Sequence, residues 1–285
     1  MLRTNIDKLV MQSVQGCIKH PVTANPYYIT GEGKPITLPA MGGITYNVKT
    51  GDPVFGWAGD HIEPGVTIKN EEDVANDALS LLSCIGNEAT VISGDAKGTK
   101  GYVTGTHGGV EHVIINFDEN LEKMVIGDSV MIKAWGQGLE LLDYPNVKVM
   151  NISPDLFLKL GIREEDGKLK IPVAGIVPAY LMGSGIGTAS STRGDFDIMT
   201  TDMDEIKRNG LDQLRFGDIV LIKDFDSSYG RAYLKGAATV GVVIHGDCVR
   251  MGHGPGVTAI MTCKESLIEG FIDKNANIST YIRGK

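Results

Sequence analysis

The chain has no Cys-x-x-Cys pair, few aromatic residues and a deficit of basic charge, and each shortage excludes a class of protein. Its four cysteines, Cys17, Cys84, Cys248 and Cys263, are scattered over 285 residues, a spacing that builds neither a zinc ribbon nor the disulfide frame of a small secreted domain. A reducing, cytoplasmic setting is expected. Lys and Arg number 27 against 35 Asp and Glu, a formal net charge of −8, so the molecule repels phosphate backbones and anionic headgroups. Neither nucleic acid nor a membrane is an expected partner. The opening segment carries Arg3, Asp7 and Lys8 where a signal peptide needs an apolar stretch, which argues against export. Residues 171–192 lack charge, but Pro172, Gly175, Pro178, Gly183, Gly185 and Gly187 interrupt them. That pattern reads as a buried strand and a glycine-rich loop, not a membrane helix.

Glycine is abundant instead, at 37 of 285 residues, about 13% where ~7% is ordinary. Many tight turns follow, with few large side chains to fill broad cores. The strongest helix signal spans 70–85. Asn70 is its cap, Glu71, Glu72 and Asp73 load its first turn, and Val74, Ala78, Leu81, Leu82 and Ile85 form its apolar face. Shorter helices are expected from the Ser153-Pro154 cap to Gly161 and from Asp202 to Gly210. Most of the rest reads as short strands, at 90–92, 102–104, 112–117, 129–134, 171–177, 218–223 and 239–245. The expected class is α+β, mostly β, in two β-rich halves with a few short helices. A boundary near 143–154 divides the chain into residues 1–150, with the long helix, and 151–285, with the glycine-rich loop and a His/Asp cluster.

Two patterns recur. Ile126-Gly127-Asp128-Ser129 returns as Phe216-Gly217-Asp218-Ile219, a Gly-Asp turn feeding a strand, and His61-Ile-Glu-Pro64-Gly65-Val66-Thr67 returns as His253-Gly-Pro255-Gly256-Val257-Thr258. The pairs occur in opposite order, so the chain is not a tandem duplication. Ser93 to Val103 resembles a small β-barrel motif of some ribosomal proteins, but only Lys97 and Lys100 are basic. It reads as a structural turn.

The polar run from Gly183 through Ser184, Gly185 and Gly187 to Arg193 could cradle an anionic substrate group with backbone N–H groups and one guanidinium. It is neither a P-loop nor a dinucleotide motif, and no nucleotide cofactor is indicated. Asp195 and Asp197 follow at strand period, which puts two carboxylates on one face, as metal ligands or an acid/base pair. His245, Asp247 and His253 emerge where an apolar strand ends and make a ligand set for a divalent metal ion, with Cys248 as an alternate and Asp60-His61 completing it. His20, His107 and His112 read as structural, because no acidic or thiol partner sits at ligand spacing.

The runs Leu181 to Gly187, Arg193 to Ile198, Gly241 to Asp247 and Gly252 to Val257 resemble a family of uncharacterised prokaryotic proteins bearing a domain of unknown function, divided into N-terminal and C-terminal parts. That resemblance implies a two-part architecture and no established activity. Gly194-Asp-Phe-Asp197 with the Gly217-Asp218 turn is also similar to the formamidase and acetamidase family, which implies amide hydrolysis at a metal site. The expected function is a metal-dependent hydrolase acting on a small polar or anionic molecule. In it His245, Asp247, His253 and His61 hold the metal, and Asp195 or Asp197 is ligand or base. The alternative is a non-catalytic protein that binds a small ligand or forms a homo-oligomer.

Overall fold

A computed structural model describes residues 2–23, 26–183 and 190–284. Six antiparallel strands of the first half close on themselves: β1 (Gln12–Ile18), β2 (Gly65–Lys69), β3 (Glu88–Val91), β4 (Lys100–His107), β5 (His112–Phe117) and β6 (Ser129–Ala134). They pair in the order β1-β6-β3-β4-β5-β2, and β2 returns to β1 through Cys17↔Lys69 and Ile18↔Ile68. Closure leaves no strand edge between them to template aggregation.

A second, open sheet joins β7 (Lys148–Val149), from the end of the first half, to β8 (Gly175–Pro178), β9 (Phe196–Asp197), β10 (Ile219–Asp226), β11 (Ala232–Val243) and β12 (Gly256–Cys263) of the second. Its order is β7-β12-β11-β10-β8, and β9 also pairs with β12. A three-stranded sheet of Arg163–Glu165, Lys168–Val173 and Ile268–Ile272 lies beside it in the chain's second half. The chain is mostly strand, as its turn-rich, helix-poor composition implies.

Period-two alternation decides how the halves meet. Every residue of β5 is buried. Val113, Ile115 and Phe117 fill the barrel with Ile18, Ile68 and Ile132, whereas Ile114 turns outward into a cluster with Val242, Ile244 and Ile260 of the second half. Each such side chain contributes ~1.5–3 kcal/mol by leaving water. At Gly105 of β4, a Cβ would collide with Ile244, so the two sheets approach to backbone distance. Thr106 and Thr258 then hydrogen-bond across the seam, the Thr258 hydroxyl donating to the Thr106 carbonyl at 3.1 Å.

The helices are α1 (Asp73–Leu82), α2 (Pro154–Lys159), α3 (Met203–Arg208) and α4 (Ile278–Arg283). Ser153 caps α2 and Asp202 caps α3 through their side chains, as expected. α1 departs from its reading in two ways. Asn70 lies outside it and donates to the Gln15 and Ala75 carbonyls, and the buried face is Asn76, Leu79 and Ser80, with Val74 exposed. Leu79 wins because β1 has Gly16 at the contact, where a Cβ would press on the Leu79 side chain. The recurrent Gly-Asp turn is one structure used twice. Gly127 and Gly217 both take positive φ, and Asp128 and Asp218 each accept the N–H of the residue three earlier, Val125 at 3.0 Å and Arg215 at 2.8 Å. No helix among the described residues is long and apolar enough to cross a membrane.

Candidate metal centre

Five of the chain's six histidines belong to one buried polar network where the barrel meets the second sheet. His61 and Glu63 come from the loop entering β2, His107 from the end of β4, and His112 from the start of β5. Asp195 and Asp197 come from β9 and the residue before it, His245 from just beyond β11, and His253 from the loop entering β12. The second recurrent pattern is explained here, because both copies deliver a histidine to the same place and then start a strand at glycine. His61 and His253 have ring centroids 5.3 Å apart, His61 and His245 4.9 Å, and His107 stacks on His245 at 4.2 Å.

The proton on each ring is set by what surrounds it. His61 Nδ1 lies 3.0 Å from Asp60, His107 Nδ1 bonds Glu63, and His245 Nδ1 lies 2.9 Å from the Gly246 carbonyl. Ionised carboxylates and carbonyls only accept, so each Nδ1 must carry the proton and donate it. The Nε2 atoms are thereby left without a proton, and two of them face Asp195 and Asp197. His245 Nε2 meets Asp195 Oδ2 at 2.9 Å and Asp197 Oδ1 at 3.6 Å, and His61 Nε2 meets Asp197 Oδ2 at 3.8 Å. A nitrogen whose partner nitrogen already donates cannot sit opposite a carboxylate unless a proton or a metal cation lies between them. Histidines tied back through Nδ1 to carboxylate or carbonyl, with Nε2 presented to the centre, are what metal ligands require of their surroundings.

Electrostatics follow the same geometry. Burial would raise the Asp60 carboxyl, but donors from His61, the Cys248 thiol and the Val249 N–H outweigh it and hold it at about 2. Burial likewise opposes ionisation of Glu63, yet His112 and His107 keep it well below the usual carboxylate range. Asp197 is held well below its ordinary value, against burial, by His245, His253 and His61. His245 resists burial through Asp195 and Asp197 and is raised well above an ordinary imidazole. Its stacked neighbour His107 is lowered by burial and by that adjacent charge.

Two sets of side chains bring ligand atoms within 4.8 Å of one another: His61, Cys248 and His253, and His107, Asp195 and His245. His245, His253 and His61 therefore converge as read from the sequence, with Asp195 and Asp197 among them. Asp247 does not join either set. Its carboxylate accepts from the Thr200 hydroxyl at 2.6 Å and the Cys248 N–H at 2.8 Å, while its carbonyl accepts the His61 N–H at 3.0 Å. It is a positioning residue, and it holds His61 in the left-handed region at φ 50°, a conformation a non-glycine residue keeps only when its surroundings over-determine it.

His107 and Glu63 correct the reading. His107 looked unpartnered because Glu63, which it bonds, lies 44 residues away in the chain. His112 keeps a supporting role, with Nδ1 placed 3.3 Å from both Glu63 oxygens. The legible sign was Glu63 itself, an acid two residues after the repeated histidine. Of the anion-cradle residues, Ser184, Gly185 and Gly187 lie outside the described residues. Gly183 packs against Gly252 beside His253. Arg193 is ion-paired with Asp77 of α1 and with Glu111. Gly256 permits the close packing of the site, because a Cβ there would overlap both His245 Nε2 and Asp195 Oδ2.

Residues 27–158 match the N-terminal model, and residues 159–282 the C-terminal model, of DUF4438, a domain of unknown function. The chain belongs to the DUF4438 family. A solved member-like chain, reported as the crystal structure of TM1086, is 54% identical over 98% of this chain and 99% of its own, with a TM-score of 0.94. No curated protein matches, and the formamidase likeness has no counterpart among these matches.

Proposed function

We propose that this DUF4438 protein is a metal-dependent hydrolase of a small polar or anionic substrate, with its centre at the histidine seam. One observation carries the reading: three imidazoles are tautomerically locked by outer acceptors, and two of them, His245 and His61, present Nε2 to Asp195 and Asp197. A divalent ion held there lowers the pKa of a bound water toward ~7 and so makes hydroxide available at neutral pH.

The chain's own residues have the remaining tasks. His61, His107, His245 and His253 bind. Asp60 and Glu63 orient the first two of these rings. The Gly108 N–H, donating to Asp195 Oδ1 at 2.7 Å, fixes that carboxylate so that its other oxygen faces His245. Asp195 and Asp197 supply the carboxylates of the site, as ligand or as the general base that takes the proton of an attacking water. Substrate would enter beside His253, whose side chain is 32% exposed while that of His245 is fully buried.

The test is metal analysis of the purified full chain beside a hydrolysis screen of small amides, esters and lactones. Stoichiometric metal, turnover lost on chelation and restored by Zn²⁺ or Mn²⁺, and loss of both in His245→Ala are expected. A chain that takes up metal tightly but turns over nothing in the screen would favour the non-catalytic binding role. A chain that takes up no metal would overturn the hydrolase reading and favour the non-catalytic protein that binds a small ligand or forms a homo-oligomer.

A further inference from the structure

The seam contains more ligands than one ion can use. We propose that it is a two-cation centre in which Asp197 is the bridging carboxylate. This rests on the metal-centre reading above and goes beyond it in stoichiometry and in the assignment of each ligand. His61, Cys248 and His253 form one set, and His107, Asp195 and His245 the other, each with its ligand atoms within 4.8 Å. Ligand atoms of one tetrahedral zinc ion lie ~3.4–3.7 Å apart, from Zn–N ≈ 2.1 and Zn–S ≈ 2.3 Å. Each set therefore closes on an ion with shifts of up to about an ångström. The six ligands together do not close on a single tetrahedral ion.

Asp197 lies between the sets and divides its oxygens between them. Oδ1 is 3.6 Å from His245 Nε2 of one set, and Oδ2 is 2.8 Å from His253 Nδ1 and 3.8 Å from His61 Nε2 of the other. A carboxylate bridging two ions ~3.5–4 Å apart is the arrangement of many two-metal hydrolytic sites. Charge points the same way. Asp60, Glu63, Asp195 and Asp197 are all buried and all partnered by histidine. With the imidazoles neutral and Cys248 a thiolate, five negative charges remain in a low-dielectric seam, and two divalent ions leave one of them uncompensated where a single ion leaves three.

The two positions differ in softness. The Cys248 sulfur gives the His61 position a thiolate, which suits zinc or cobalt, whereas the His107 position has only nitrogen and oxygen donors and suits a wider range of ions. His107, which sequence spacing placed among structural histidines, becomes a ligand, and Cys248 becomes one in place of Asp247.

Cobalt titration of the metal-stripped full chain reads all of this without substrate. Two equivalents per chain are expected. Only one should bring the near-ultraviolet thiolate-to-cobalt absorption, and the electron paramagnetic resonance signal of the first should diminish through spin coupling as the second binds. Cys248→Ser should abolish the absorption and weaken one equivalent at least about tenfold. Asp195→Asn should weaken the other and leave the absorption in place, and Asp197→Asn should remove the coupling. A wild-type endpoint of one equivalent overturns the proposal and leaves the single-metal reading intact, and that measurement needs no variant to fold. No uptake overturns both. Two equivalents that Cys248→Ser and Asp195→Asn weaken in common overturn the assignment of separate sets.

Discussion

The inside of the barrel and the seam on its outer wall are built from the same strands, yet they follow different physics. Inside, Ile18, Ile68, Val103, Val113, Ile115, Phe117 and Ile132 pack without a polar partner. Their stabilisation depends on shape and area alone. A few ångströms away, on the loops and strand ends of that wall, His61, Glu63, His107 and His112 are equally buried but ionisable. Burial there costs free energy unless every lone pair finds a proton or a cation. The barrel needs nothing from the second half of the chain to satisfy its interior. The seam is satisfied from both halves, the Nδ1 atoms of His61 and His107 by Asp60 and Glu63 and the other sides of His61 and Asp60 by Asp197 and Cys248.

The comparison is sharpest if each region is broken separately. Glu63→Ala leaves His107 and His112 without their buried acceptor, and the loss should be about 3–5 kcal/mol, the usual cost of removing one member of a buried charged network. Urea unfolding in the presence of a chelator measures it, and Glu63→Gln, which keeps an acceptor, should recover part. In the barrel, Ile115→Ala should cost about 2–5 kcal/mol through the transfer and cavity terms. Its metal stoichiometry should stay at the wild-type value, which a seam variant should not manage. Asp128→Ala and Asp218→Ala remove the same turn acceptor from the two halves. Each should cost about 1–3 kcal/mol in thermal melts, with the larger loss at Asp218, which also accepts from Asn277 and Arg215.

Smaller effects should come from the surface pins. Arg193→Ala breaks pairs whose acidic partners are half or one-third exposed, so about 0.2–1 kcal/mol is expected and is screened by salt. Glu269 is held at about 2 by Lys168 and Lys170. Because its folded value lies below its unfolded value of ~4.3, its contribution is present above pH ~4.3 and is lost as pH falls toward 2. Denaturation curves of wild type and Glu269→Gln should therefore converge below that range and separate only slightly above it. A large separation would mean that this surface pair matters as much as the seam.

Much of the architecture could be read locally. The strands expected at 112–117 and 129–134 occur over those residues, because turn chemistry on both sides and β-branched residues between them are short-range signals. Ser153-Pro154 and Asp202 start their helices for the same reason. The α1 face was misread because helical periodicity alone does not tell which stripe a neighbour will cover, and Gly16, far away in the chain, decides it. In the site, Asp195 and Asp197 were legible as one face of a strand, and His245 and His253 as groups at a strand end.

What the amino-acid order determined by itself was part of the set of elements, the two recurrent patterns and the supply of imidazole and carboxylate; strands such as Gln12–Ile18, Gly65–Lys69 and Gly256–Cys263 were not legible in it. The pairing of those groups was decided only in three dimensions. Glu63 meets His107 44 residues on, Asp195 meets His245 50 residues on, and Asp60 meets Cys248 188 residues on. A side chain's tautomer and charge depend on the atom opposite it, and here that atom is brought up by barrel closure and by the packing of a second sheet against the barrel's outer wall.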